Sequence, residues 1–203
     1  MFVDIFNTNK RYSIIYADPP WKYDGGIKNC TGAAQKHYDT MTAGEIVKIP
    51  VEALAAKDCI LFMWATYPKY QDALELIQAW GFKYKTIAFQ WVKLNPRGIG
   101  YFFGMGRWTR GNTEPCLLAV RGKPKRVSAA VSQLIVAPVG KHSEKPAITR
   151  TKIRQLVGQG AAIELFARKS APGWDCWGNE APGNNCAVAQ GQEPAEDGQT
   201  TFY

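Results

Sequence analysis

With 203 residues, 46% of them apolar and 21% charged, the chain has the composition of one ordinary soluble globular domain; disorder, collagen and coiled coil are excluded. A chain of this length buries roughly 70% of the surface its unfolded form exposes, so its core needs neither disulfide nor metal. Its longest apolar runs, 59–65 and 133–139, fall far short of the roughly 20 residues that span a bilayer, and residues 1–10 hold no apolar segment of the secretory type, so a cytoplasmic location is expected.

In chain order, the first strand is expected over 13–17 and runs directly into Asp18-Pro19-Pro20-Trp21. Thr42, with Glu45 three residues on, forms a capping box that opens a short helix over 43–49. A strand over 59–65 is followed by a helix over 69–80, in which Tyr70, Ala73, Leu74, Ile77 and Trp80 share one face and which Gly81 ends. Strands over 86–92, 116–120 and 134–137 then follow one another without helices between them. A helix over 146–157, stopped by Gly158, and a strand over 163–167 restore the alternation. The pattern predicts an α/β layer fold with a mostly parallel sheet and an antiparallel excursion in its middle, which carries a basic, glycine-rich loop. The segment 181–203 contains no Lys or Arg, three acids and much Gly, Pro, Gln and Asn, and reads as a disordered tail after a single domain over 1–180.

Five cysteines, Cys30, Cys59, Cys116, Cys176 and Cys186, include no C-x-x-C pair, and only His37 and His142 could join them, so no metal site is expected. Cys59 and Cys116 lie in apolar runs and read as reduced core thiols. No phosphate-binding G-x-x-x-x-G-K-[ST] loop is present, and Pro115-Cys116-Leu117-Leu118 lacks the second cysteine of a zinc base deaminase.

The net charge of +8 is unevenly spread: residues 82–126 carry ten Lys and Arg and a single acid, Glu114. Tyr84, Phe89, Trp91, Tyr101, Phe102, Phe103 and Trp108 are interleaved with them. Cations that hold phosphates beside aromatic faces on which bases stack point to a nucleic acid.

Asp18 follows a buried strand, the end at which open α/β sheets bind their ligands. Pro19 and Pro20 fix the backbone and carry no N–H, which leaves the carbonyls of Asp18 and Pro19 as acceptors without a competing donor beside them. An exocyclic amine conjugated to an aromatic ring is a poor nucleophile, because its lone pair is delocalised into the ring. Hydrogen bonds from both of its N–H groups to a carboxylate and a carbonyl favour the pyramidal form and turn the lone pair toward an electrophile. Trp21 adds an aromatic face, so the segment fits an aminopurine or aminopyrimidine.

With those residues in view, the sequence resembles the MT-A70 family of adenine N6 methyltransferases, which use S-adenosylmethionine on DNA or RNA. The resemblance covers about residues 4–180. It takes in Asp18 to Trp21, Tyr38-Asp39-Thr40-Met41, Phe62-Met63-Trp64-Ala65-Thr66, Glu114-Pro115-Cys116, His142-Ser143-Glu144-Lys145-Pro146, Glu164-Leu165-Phe166-Ala167-Arg168 and Gly178-Asn179-Glu180. It implies a Rossmann-like class I methyltransferase fold with permuted motif order, the amine-binding motif near the N-terminus and the cofactor strand near the C-terminus. It implies that Asp18, Pro19, Pro20 and Trp21 are catalytic, and that Lys145 reaches the methionine carboxylate of the cofactor. Phe166, Arg168, Asn179 and Glu180 would contact other parts of it, Asp18 would border it, and Asp4 and Ile5 would read its adenine. Glu114 matches a substrate-region glutamate, whose bland alternative is an ion pair with Arg107 or Arg110. Trp108, Arg110 and Lys93 are the candidates for stacking and phosphate contact. His37 and His142 need no catalytic role. The expected function is methylation of a flipped adenine at N6 in DNA, with specificity from loops over 22–36 and 93–110; the alternatives are RNA as substrate or a non-catalytic nucleic-acid-binding scaffold.

Overall fold

The computed structural model describes residues 1–23, 40–106, 108–141 and 144–180. The tail expected over 181–203, both histidines, Cys30, Cys186, Arg107 and most of the 22–36 loop lie outside the described residues.

Seven strands form one sheet: β1 (Tyr12–Ala17), β2 (Ala55–Trp64), β3 (Lys83–Leu94), β4 (Thr113–Arg121), β5 (Leu134–Pro138), β6 (Ala162–Leu165) and β7 (Asp175–Trp177), in the order β5-β3-β4-β2-β1-β6-β7. β4 is antiparallel to both neighbours, while every other pair is parallel, so β4 alone is reversed. This is the Rossmann-like α/β architecture, mostly parallel with an antiparallel excursion. The chain leaves β1 toward β2 and returns to pair β6 on its other side. That places the topological switch point at the carboxyl end of β1, where a crevice opens between diverging connections.

Alternation along the strands divides the core. Ile15, Ala17, Leu61, Met63, Leu117 and Ala119 face the helices α1 (Ala43–Val47), α2 (Val51–Leu54) and α3 (Tyr70–Ala79). Ile14, Tyr16, Ile60, Phe62, Trp64 and Cys116 face the opposite way, toward α4 (Ile148–Val157) and its buried Ile153. The capping box forms as expected, with Thr42 N donating to Glu45 Oε2 at 2.7 Å and Glu45 N to Thr42 Oγ1 at 3.3 Å. The helix expected over 43–49 stops sooner, because Pro50 disfavours helical backbone in the residue before it, and a second short helix starts anew at Val51. α3 ends as its sequence predicts: Gly81 takes φ +78°, with Gly81 N bonding Gln78 O and Phe82 N bonding Ile77 O, the double bond pattern of a Schellman cap. β7 has no counterpart in the sequence reading, since three residues are too few to show a period.

One expectation is corrected by strand length. Lys83 and Lys93 lie at opposite ends of β3, about 33 Å apart at the usual rise per residue. Because β4 runs back beside β3, pairing Lys83 with Val120 and Val92 with Thr113, Arg121 and the following Lys123, Lys125 and Arg126 return to the Lys83 end. The basic block that is continuous in sequence is therefore two clusters. Only Lys93, Arg97 and Arg110, among its described members, belong to the end of the sheet where β1 delivers Asp18.

The three described cysteines, Cys59, Cys116 and Cys176, are buried and free, and burial pushes the Cys59 thiol up to about 12. Among the described residues no helix is long and apolar enough to cross a membrane, and no group of three His, Cys, Asp or Glu is placed to hold a metal ion.

Glu164, on β6 beside Tyr16, is 7% exposed and takes a two-pronged bond from Arg150 of α4, at 2.6 and 2.8 Å. Arg150→Met strands this carboxylate in the core and is expected to cost about 3–5 kcal/mol in urea unfolding, whereas Arg150→Met with Glu164→Leu recovers most of that loss.

Candidate active site

Asp18 has the same parity as Tyr16, so it leaves β1 on the face that α4 covers, and the segment preceding α4 brings Lys145 to meet it. Lys145 Nζ lies 2.8 and 2.9 Å from the two Asp18 oxygens and 3.2 Å from Glu114 Oε1. Glu114 Oε2 is in turn 2.7 Å from Lys93 Nζ. The four groups form a row of alternating charge, with side-chain exposures of 26% at Asp18, 10% at Lys145, 6% at Glu114 and 19% at Lys93. Beneath the row lie two tryptophans in edge contact: Lys145 stands 5.8 Å over the ring of Trp64 and Lys93 4.9 Å over that of Trp91. The Trp64 indole donates to the buried Tyr16 hydroxyl at 2.6 Å, which fixes this floor to β1.

Burial raises the Asp18 carboxyl above its ordinary range, opposed by the Lys145 charge, and Glu114 adds to the rise. Burial also acts on Glu114, but Lys145 and Lys93 together overcome it and hold that carboxyl below its ordinary range. Lys145 is desolvated yet raised, because two carboxylates face it. Lys145 therefore favours the ionised form of both acids against the cost of their burial.

The row borders a cavity of about 500 Å³. Its walls include Asp18, Pro19, Pro20 and Trp21 from the first motif and Lys93, Glu114 and Lys145 from the charged row. Phe166, Arg168, Asn179 and Glu180 close it from the β6 and β7 side. Segments scattered over the sequence thus converge on one space. Sequence reasoning did not assign a site role to Trp64, Tyr23, Thr66 or Trp177, which also line it; Tyr23 and Thr66 join hydroxyls at 2.6 Å. The signal for Trp64 and Thr66 was their place at and just after the last residue of β2, at the same end of the sheet as Asp18.

Other expected residues lie elsewhere. Asp4 is exposed, its carboxylate accepting from Phe6 N and Asn7 Nδ2, and Ile5 is 3% exposed in the core; neither lines the cavity. Phe6, next to them, packs edge-on against Trp177, a cavity wall. Trp108 and Arg110 stand exposed in the loop between β3 and β4, outside the cavity. Glu114 does not pair with Arg110; its partners are the two lysines, which reach it because β4 starts beside the end of β3. The proline segment is not free of donors either. Trp21 N donates to Pro19 O at 2.9 Å, a tight turn that occupies one lone pair of that carbonyl, and Lys145 occupies part of Asp18. A carbonyl keeps a second lone pair and a carboxylate about four acceptor positions, so both still face the cavity with unused capacity.

Backbone strain marks the far wall. Phe166 is the one described non-glycine residue with positive φ, +61°, and this ends β6 at Leu165, earlier than the strand expected over 163–167. Gly178 sits against this bend: a Cβ there would lie 2.5 Å from Ala167 O and 2.8 Å from Phe166 C. A side chain at 178 would push β7 away from the bend and spread the wall.

The MT-A70 family model matches residues 12–180. The chain belongs to the MT-A70 family. It is similar to the type II methyltransferase M.MunI of a Mycoplasma species, 37% identical over 199 residues, which span 88% of this chain and 82% of that protein. It is 28% identical to the mouse N(6)-adenine-specific methyltransferase METTL4 and to the human N(6)-adenosine-methyltransferase catalytic subunit METTL3, over 87% and 85% of its own length. It spans only 39% and 29% of those two longer proteins. The MT-A70 protein described here is thus a methyltransferase.

In a titration followed by carboxyl carbon NMR, Asp18 is expected to protonate above the ordinary aspartate range. Lys145→Met should move it higher still, by removing the opposing charge, and Glu114→Gln should move it lower, by removing the like charge. A midpoint unmoved by either substitution would mean that the row is not electrostatically coupled.

Proposed function

We propose that this MT-A70 protein transfers methyl from S-adenosylmethionine to the N6 amino group of adenine in DNA. The observation that carries the reading is the position of Asp18: a partly open carboxylate, paired with Lys145, on a rigid proline turn at the switch point of the sheet, inside a cavity that has aromatic walls and both signs of charge. DNA is favoured by the similarity to M.MunI, a type II methyltransferase matched over most of both chains, and by the cations at this end of the sheet.

The lining fits the cofactor by its chemistry. Lys145 and Arg168 suit a carboxylate, Glu180 and Asn179 suit hydroxyls, and Phe166 with Trp177 gives flat apolar faces, which meet edge-on at 5.6 Å. When bound, S-adenosylmethionine supplies an electrophilic methyl group. Asp4 and Ile5, the two residues before the Phe6 contact with Trp177, are proposed to meet its adenine where it extends past that wall.

The target adenine must leave its stack, since N6 cannot be approached in line inside a duplex. Its two N–H groups donate to the Asp18 carboxylate and the remaining lone pair of Pro19 O, while Pro20 and Trp21 flank the ring. Those bonds turn the nitrogen lone pair toward the methyl carbon; the N–C bond forms as the C–S bond breaks, and no covalent intermediate with the protein is needed. Positive charge then develops on N6, beside the Asp18 carboxylate whose ionised form Lys145 favours, and the proton leaves to Asp18 or to water. Much of the acceleration is alignment, which a proline turn provides with little motion. Glu114 and Lys93 keep Lys145 and Asp18 in register, and Trp108 and Arg110 are proposed to meet the nucleic acid outside the cavity.

Transfer of labelled methyl from S-adenosylmethionine to matched single-stranded and duplex DNA and RNA, with identification of the product base, tests the reading. N6-methyladenine in DNA is expected. Asp18→Ala should lower kcat by about a thousandfold, whereas the heat of S-adenosylhomocysteine binding should survive. Labelled RNA alone would transfer the same mechanism to another polymer, and no label in any polymer would overturn the reading. Gly178→Ala is expected to weaken S-adenosylhomocysteine binding about tenfold or more in calorimetry, by displacing the wall at Phe166.

A further inference from the structure

The loop between β3 and β4 concentrates large exposed apolar side chains in a way found nowhere else among the described residues. Ile99, Tyr101, Phe103, Met105 and Trp108 are 79%, 58%, 70%, 70% and 100% exposed, all within ten positions. Scattered single apolar residues on a surface need no explanation, but a cluster of this kind marks a contact site.

The loop's backbone holds these side chains out. Phe102 N bonds Lys93 O at 2.9 Å, Lys93 N bonds Asn112 O at 2.8 Å and Gly104 N bonds Gly111 O at 2.9 Å, so 102–106 and 108–112 are the two limbs of a finger. The limbs touch through glycine. A Cβ on Gly104 would lie 2.5 Å from Gly111 O, and one on Gly106 would overlap Thr109 O. Gly104 and Gly106 thus keep the limbs in backbone contact, and Phe103, Met105 and Trp108 stand exposed on them.

Two further facts identify what the finger meets. Its roots, Lys93 and Glu114, line the active cavity, so the finger stands on the rim through which a base must enter. Residues 95–113 contain Arg97, Arg107 and Arg110 and no acid, a charge that complements a polyanion. Apolar side chains on a cationic projection beside a base-accepting cavity match an element that enters a base stack.

We propose that the finger is a wedge: Phe103, Met105 and Trp108 enter the duplex beside the target and fill the space that the extruded adenine vacates, while Arg97 and Arg110 hold the flanking phosphates. This rests on the adenine-extrusion reading above. The wedge replaces lost stacking with aromatic and thioether contacts, so its contribution belongs to duplex substrates; a strand already unstacked gains little from it.

The test uses the full chain and genomic DNA lacking N6-methyladenine, either as duplex or heat-denatured, which presents every short target. The Phe103→Ser, Met105→Ser double variant is expected to lose about tenfold or more in kcat/KM on duplex and to stay within about twofold of the unsubstituted protein on denatured DNA. Equal losses on both forms would overturn the wedge and leave a general contact. No transfer to either form by the unsubstituted protein would overturn the DNA reading and the wedge with it, whereas transfer by the unsubstituted protein with an unaffected double variant would overturn the wedge alone. Should only duplex be a substrate, the emission difference between the unsubstituted protein and Trp108→Phe decides: duplex DNA is expected to quench it and shield it from acrylamide, and an unchanged signal overturns the proposal. Sedimentation completes the set, since a dimer that the double variant dissociates would assign the finger to a contact between copies of this chain.

Discussion

Two lysines and two carboxylates, interleaved and largely withdrawn from water, hold the working end of this protein together. Any one of the four left without its neighbours would be an uncompensated charge beside two tryptophans, at a cost of several kcal/mol. Together they satisfy one another, and they come from four places: the end of β1, the end of β3, the start of β4 and the segment before α4. The row is therefore also a clasp, since the sheet and the α4 connection must be correctly placed before Lys145 can sit between Asp18 and Glu114. Stability and chemistry share the same contacts here.

The reversed strand is what makes the row possible. If β4 ran parallel to β3, Glu114 would enter at the opposite end of the sheet, some 30 Å from Asp18. Running antiparallel, β4 starts where β3 stops, and Glu114 lies opposite Trp91 and within reach of Lys93. The same reversal raises the glycine finger at the cavity rim, because the loop that links an antiparallel pair must leave from the end they share. The charged row and the exposed finger at the cavity rim thus follow from one change of strand direction.

The cavity has one rigid side and one strained side. On the β1 side, two prolines and the Trp21-to-Pro19 turn fix the acceptors. On the β6 side, Phe166 is held in a left-handed conformation by the close approach of Gly178. Strain of that kind persists only where surrounding contacts over-determine it, and here the pairing of β6 with β7 and the Ala167-to-Trp177 hydrogen bond do so.

Most of the architecture was legible from the residues themselves. Apolar or β-branched runs located six of the seven strands described, Thr42 with Glu45 and the glycines at 81 and 158 bounded helices, and the strand running into Asp18-Pro19-Pro20-Trp21 pointed to the site, because these signals depend on near neighbours in the chain. The partners of each charged group were not legible. For Glu114 the sequence offered a nearby arginine as the alternative to a substrate role and no sign of Lys145, and the basic block looked like one patch, because proximity in sequence is a poor guide once an extended strand carries the chain about 3.3 Å per residue. Which lysine answers which carboxylate, and which cations stand near the cavity, were decided by strand direction and register, and those exist only when the sheet is assembled.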